Sequence, residues 1–240
     1  MNKKFAKIIG VILCLSLLLT LAVGCDSDEE PTPSEESTET EADTTTEAPV
    51  VGLEKTAWEA KFSDEVFKNY TVIFEGTMTV TQDGVVDSTS LVWQKIKTTA
   101  EKVELTVRAS DVASPTNSDE VTMSFEGETA EIQKIQNSQL FLTILRKYEN
   151  FKYNAEANTY TIPEDIVLNE VLKASHRDGT LFDVPAQIEI REAVVTFSED
   201  GMIATFSCDY SQAMDIGDSI VTTSGKTTWT FTDFGTTVIE

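Results

Sequence analysis

Asn69-Tyr70-Thr71-Val72-Ile73-Phe74-Glu75-Gly76-Thr77-Met78-Thr79-Val80-Thr81-Gln82-Asp83-Gly84 repeats with a period of two. Tyr70, Val72, Phe74, Met78 and Val80 share one face, and Thr71, Glu75, Thr77, Thr79 and Thr81 share the other. That pattern marks a strand that buries one side and wets the other. Gln82-Asp83-Gly84 then supplies a tight turn, so the next strand should return antiparallel. Working outward, the alternation recurs in Val103, Leu105, Val107 and Ala109, in Val121, Met123 and Phe125, in Met202, Ala204, Phe206, Cys208 and Tyr210, and in Trp229 and Phe231. Further turns fall at Ser198-Glu199-Asp200-Gly201 and at residues 154–158, between Phe151-Lys152-Tyr153 and Tyr160-Thr161-Ile162. Between Ile190 and Val195 the apolar set changes parity, which predicts a bulge that bends the strand.

Helical spacing is rarer. Leu140, Phe141, Ile144, Leu145 and Tyr148 predict a helix over residues 138–149, capped by Ser138 and ending in Arg146 and Lys147. Pro163-Glu164-Asp165 followed by Val167, Leu168, Val171 and Leu172 predicts a second over 163–174, and Trp58 with Phe62 a short third near 56–62. The fold class is therefore α+β, a curved antiparallel sheet wrapped around two or three short helices. Leu140, Ile144, Leu145, Val167 and Leu172 are expected on its concave side, where they form the candidate face for an apolar ligand. Residues 51–240 suffice for a single domain, expected to be monomeric, and no second Pro/Gly/Ser-rich linker divides them.

The N-terminus has a different character. Lys3, Lys4 and Lys7 precede an apolar run over residues 8–23 and a small-residue junction, the layout of an export signal spanning 1–24. The run is short of the ~20 residues that cross a bilayer comfortably, and acidic residues follow it, so a retained spanning helix fits less well. Leu21-Ala22-Val23-Gly24-Cys25 resembles the bacterial lipobox, with Leu one place earlier than in the commonest form. The resemblance implies cleavage before Cys25, a diacylglyceryl thioether on its sulfur, and a protein held on the outer face of the cell membrane; the alternative is a secretory signal with an incidental cysteine. Two acyl chains contribute on the order of 20 kcal/mol of gross transfer energy, at ~0.8 kcal/mol per buried methylene.

After the lipidated cysteine, residues 25–50 form a linker. From 26 to 49 it holds ten acidic residues, no Lys or Arg, and no Leu, Ile, Val or aromatic residue. Such a segment cannot bury enough apolar surface to offset chain entropy and is expected to be a disordered spacer. A calcium- or partner-binding tail is the alternative, although alternating Asp-x-Asp followed by Gly is missing. The whole chain carries a formal charge of −23, which disfavours nucleic acid and anionic headgroups.

Catalytic signatures are scarce. Cys14 lies in the signal and Cys25 is spent on lipid, so Cys208 is left without an internal disulfide partner. The single histidine, His176, has no cysteine nearby for zinc spacing, and Ser175-His176-Arg177-Asp178-Gly179 reads as a solvated turn rather than a triad or a kinase loop. No catalytic residue, metal or cofactor is expected. Trp58, Trp93 and Trp229 could line a sugar or acyl pocket, but their alternation with polar residues favours core packing.

The order of elements resembles the lipoprotein-carrier half-barrels of the LolA/LolB and LppX/LprG types. The residues that carry the resemblance are Trp58 with Phe62 before Asn69-Tyr70-Thr71, Phe151-Lys152-Tyr153 followed by Tyr160, and the closing strand Thr230-Phe231-Thr232-Asp233-Phe234-Gly235-Thr236-Thr237. It implies a half-barrel whose interior takes acyl chains. Two function classes follow as expectations: a binder or carrier of an apolar ligand, and a non-catalytic envelope module for structure, interaction or sensing, its core filled by its own side chains.

Overall fold

In a computed structural model, residues 52–111, 119–175, 180–216 and 219–239 are described. The signal, Cys25, the acidic linker and His176 lie outside them. The chain enters through α1 (Lys55–Lys61) and a 3-10 turn (Val66–Lys68), then runs β1 (Tyr70–Gln82), β2 (Val85–Thr98), β3 (Lys102–Asp111) and β4 (Asp119–Glu126). Helix α2 (Gly127–Leu145) and a second 3-10 turn (Tyr148–Asn150) lead to β5 (Lys152–Asn154), β6 (Thr159–Thr161), β7 (Ile166–Ser175), β8 (Leu181–Phe197), β9 (Ile203–Ile216) and β10 (Ser219–Thr232).

All ten strands belong to one antiparallel sheet, ordered β4-β3-β2-β1-β10-β9-β8-β6-β5, with β7 beside the other half of β8. The sheet is not closed. Helix α2 packs against β3 and β4 and also against β7. Seven strand spacings of about 4.8 Å separate β4 from β7 in a flat sheet, roughly 34 Å, so one helix can touch both only if the sheet curves around it.

Local chemistry explains the bends. Asp83 and Gly84 both have positive φ in the two-residue loop between β1 and β2, as a primed turn requires. The bulge in β8 falls where the parity change predicts it: the register with β9 shifts between Arg191 and Val194, and Glu192 takes φ +52°. The β1–β10 ladder is interrupted between Gly76↔Thr227 and Thr79↔Ser224 without a change of register, and a Cβ on Gly225 would lie 1.8 Å from the Thr77 carbonyl oxygen. Only glycine admits such an approach.

Four expectations need correction. Residues 166–175 form strand β7, not a helix: Ile166, Leu168, Leu172 and Ala174 point inward, while Val167 and Val171 stand on the outer face. The apolar pairs at 167–168 and 171–172 satisfy helical spacing, but pairing with β8 along the whole of β7 fixes a period of two. Helix α2 begins eleven residues before Ser138, whose hydroxyl bonds back to the Lys134 carbonyl in mid-helix instead of capping. Its first half escapes detection because Gln133 and Asn137 occupy the inward stripe. Finally, β9 buries Ile203 instead of Met202 and Ala204, because a register shift at Thr196/Phe197 flips its first residues, and the closing strand stops at Thr232 before a turn that brings Thr237 back to Asn69.

Aromatic residues seal one end of the molecule. Trp58 has ring centroids of Phe62, Phe151 and Tyr160 at 4.9 Å, with Phe197 and Tyr148 within 5.8 Å. Its indole Nε1 donates to the Leu145 carbonyl at 2.6 Å, satisfying one of the orphan acceptors at the end of α2. Arg146 Nε donates to the Phe62 carbonyl at 2.9 Å, so α1 and the end of α2 are locked together.

Candidate functional site

The concave face can be followed strand by strand. Val103, Leu105 and Val107 on β3, Val92, Gln94 and Ile96 on β2, Val72, Phe74 and Met78 on β1, Thr227, Trp229 and Phe231 on β10, Phe206, Cys208 and Tyr210 on β9, and Ile188 and Ile190 on β8 all point inward and are buried. Among the inward positions whose side chains are described, one carries a charge. It belongs to Glu170, which pairs with Lys147 at 2.7 Å near the rim. Helix α2 lies across this surface, and Ala130, Phe141, Ile144 and Leu145 are buried under it.

Of the five residues of the expected ligand face, four lie in or against the core on the concave side and one does not. Ile144 and Leu145 have no exposed surface and belong to the core, and Leu140 is half-buried beside it. Leu172 is buried on β7, whereas Val167 is 54% exposed and points away from the concave side. What sequence reasoning missed is polar. The buried hydroxyls of Thr98 and Thr227 face Tyr70 and Cys208, whereas Gln133 Oε1, Asn137 Nδ2 and the Thr223 hydroxyl are buried without a hydrogen-bond partner in the structure. Uncharged polar groups of this kind demand water or a bound polar group. Asn137 was detectable, since it stands seven residues after Ala130 and four before Phe141, in the middle of the inward stripe.

The seam between α2 and β7 is polar. Gln139 donates to the Lys173 carbonyl at 2.9 Å and accepts from the Lys173 N–H at 2.8 Å, standing in for a neighbouring strand. Gln136 adds a bond to the Ser175 hydroxyl at 2.9 Å. On the other side Lys134 reaches the Ala100 carbonyl at 2.6 Å. The helix is thus fastened at both rims by separable hydrogen bonds, while its end is fixed by packed aromatic rings.

Titratable groups in the interior are held neutral. Burial pushes the Cys208 thiol up to about 12, with the neighbouring Thr227 hydroxyl opposing slightly, so it is not a thiolate nucleophile at neutral pH. Burial likewise raises the Tyr70 phenol to about 12 and raises Tyr210 further. Among the described residues no three His, Cys, Asp or Glu side chains are grouped to hold a metal, and no helix is long and apolar enough to cross a membrane.

The convex face has a depression of about 530 Å³ bordered by Glu75, Gly76, Thr77, Leu91, Trp93, Arg108, Ser110 and Lys226. Of the three tryptophans, Trp58 and Trp229 are core residues, and Trp93 stands here, half-buried, with the Arg108 guanidinium 4.3 Å from its ring centroid.

Comparison with protein-family models and with curated proteins returns no match.

Proposed function

We propose that this chain is an exported lipoprotein, anchored by lipid on Cys25 to the outer face of the cell membrane, whose half-barrel domain holds an apolar or amphiphilic ligand between α2 and the concave sheet. The observation that carries this is an unclosed sheet whose described inward side chains are uncharged except for Glu170, crossed by a helix joined to β7 by side-chain hydrogen bonds. Displacing β7 from α2 breaks the Gln139 and Gln136 bonds and the Lys147–Glu170 pair, and this seam gives a ligand an entrance. The resemblance to the lipoprotein-carrier half-barrels supports the same ligand class.

Mass spectrometry of the full-length protein, extracted under native conditions, tests the proposal. A lipid retained at about one per chain after detergent exchange is the expected result; its absence, together with no saturable binding of a fluorescent fatty acid, overturns it. The second reading, a filled module for interaction or sensing, is favoured by the complete burial of Ile144, Leu145, Ile188 and Ile190. It becomes the conclusion if no ligand is found.

A further inference from the structure

The depression on the convex face is built from two adjacent cross-strand rows. One runs Glu120-Arg108-Trp93-Glu75-Thr228, each residue directly opposite the next across β4, β3, β2, β1 and β10. The other runs Ser110-Leu91-Thr77 across β3, β2 and β1, and Lys226 closes the end. Gly76, where the β1–β10 ladder is interrupted, also borders the depression.

The chemistry of the lining selects a ligand. Both cations are already paired: Arg108 Nε donates to Glu120 Oε2 at 2.6 Å, and Lys226 Nζ to Glu192 Oε2 at 2.9 Å. An anion finds no free positive charge there. The Glu75 carboxylate forms no hydrogen bond or ion pair with a described residue, and one carboxylate is too few for a hard divalent cation, which takes six or more oxygens. A purely apolar ligand would leave the Glu75 carboxylate and the hydroxyls of Thr77 and Ser110 desolvated and unpaired.

The remaining class is neutral, rich in hydroxyl groups and apolar on one flat face. Trp93 supplies an indole kept in one orientation by Arg108, and Leu91, 36% exposed, extends the apolar strip. Glu75 accepts hydroxyl protons, and the free N–H groups of Arg108 and Lys226 donate. We infer that the convex depression around Trp93, Glu75 and Arg108 is a binding site for a neutral glycan, with a pyranose ring against Trp93 and its hydroxyls on Glu75 and Arg108. The volume lies within the range of small-ligand sites. This site is separate from the concave interior, so its fate does not depend on whether the domain carries a lipid.

The tryptophans give a selective probe. Trp58 and Trp229 are buried, so acrylamide quenching of the native full-length protein reports mainly Trp93. Cellotriose and N-acetylchitotriose are titrated in turn. The expected result is saturable protection of Trp93 by at least one of them, weakened about tenfold or more by Glu75→Gln and abolished in signal by Trp93→Phe. Because Glu75 is exposed and unpaired, Glu75→Gln should leave the thermal midpoint unchanged, so lost binding in that variant is not lost folding. Absence of protection up to the solubility limit of both sugars overturns the inference. Protection of equal strength in the Glu75→Gln protein overturns it as well, because the sugar would then bind elsewhere.

Discussion

Trp58→Phe should weaken the fold far more than its conservative character suggests. The indole has no exposed surface and five aromatic neighbours within 5.8 Å, and its N–H holds the Leu145 carbonyl at 2.6 Å. Phenylalanine keeps most of the ring contacts and cannot donate. The lost bond costs about 1 kcal/mol net, and a buried carbonyl left without a donor costs about 1–3 kcal/mol. The smaller ring removes on the order of two methylene-sized groups at about 0.8 kcal/mol each. These terms overlap, since the carbonyl can tilt into the space vacated, and a total of about 2–4 kcal/mol is expected. Urea unfolding followed by far-ultraviolet circular dichroism measures it, with the slope unchanged if the native state is otherwise intact. Trp93→Phe is the internal control: its ring is half-exposed and its main partner is Arg108, worth about 0.5–1 kcal/mol at an exposed site. If Trp58→Phe loses less than about 1 kcal/mol, or no more than Trp93→Phe, the indole–carbonyl link between α1 and α2 does not hold the end of the molecule closed.

Gly225→Ala should destabilise strongly, by more than about 2 kcal/mol in the same assay, because the new methyl carbon would stand 1.8 Å from the Thr77 carbonyl oxygen; Gly84→Ala, strained by φ +79° but facing open space, should cost about 1 kcal/mol. Cys208 should resist alkylation at pH 8 in the native protein and react only on unfolding. Its thiol is weaker as an acid in the folded state, so the folded protein keeps a proton that the unfolded chain releases. Stability from this source is full below about pH 9 and declines as pH rises towards about 12, which denaturant titrations at alkaline pH can follow. Cys25→Ala should abolish fatty-acid labelling and release the protein from membranes; persistence in the membrane pellet after a high-salt wash would remove lipid anchoring from the account.

The sequence by itself determined the sheet where one face is buried and the other wet. β1 and β3 were legible because Tyr70, Val72, Phe74, Met78 and Val80, and Val103, Leu105, Val107 and Ala109, alternate with residues that are mostly Thr, Glu or Lys, and the loops at 83–84, 154–158 and 198–201 were legible because their residues suit turn geometry. The β8 bulge followed from parity alone. Tertiary structure decided the places where a partner rewrites the pattern. Glu170 occupies an inward position on β7 only because Lys147, on a distant segment, neutralises it, and this breaks the alternation that would have announced a strand. The first half of α2 was silent because Gln133 and Asn137 replace apolar residues on its inner stripe, while Gln136 and Gln139 spend their side chains on β7. The convex depression was invisible for a related reason. Glu120, Arg108, Trp93, Glu75 and Thr228 are far apart along the chain, and only strand register aligns them, since the period of two fixes which face a residue takes and never which residue of another strand lies opposite.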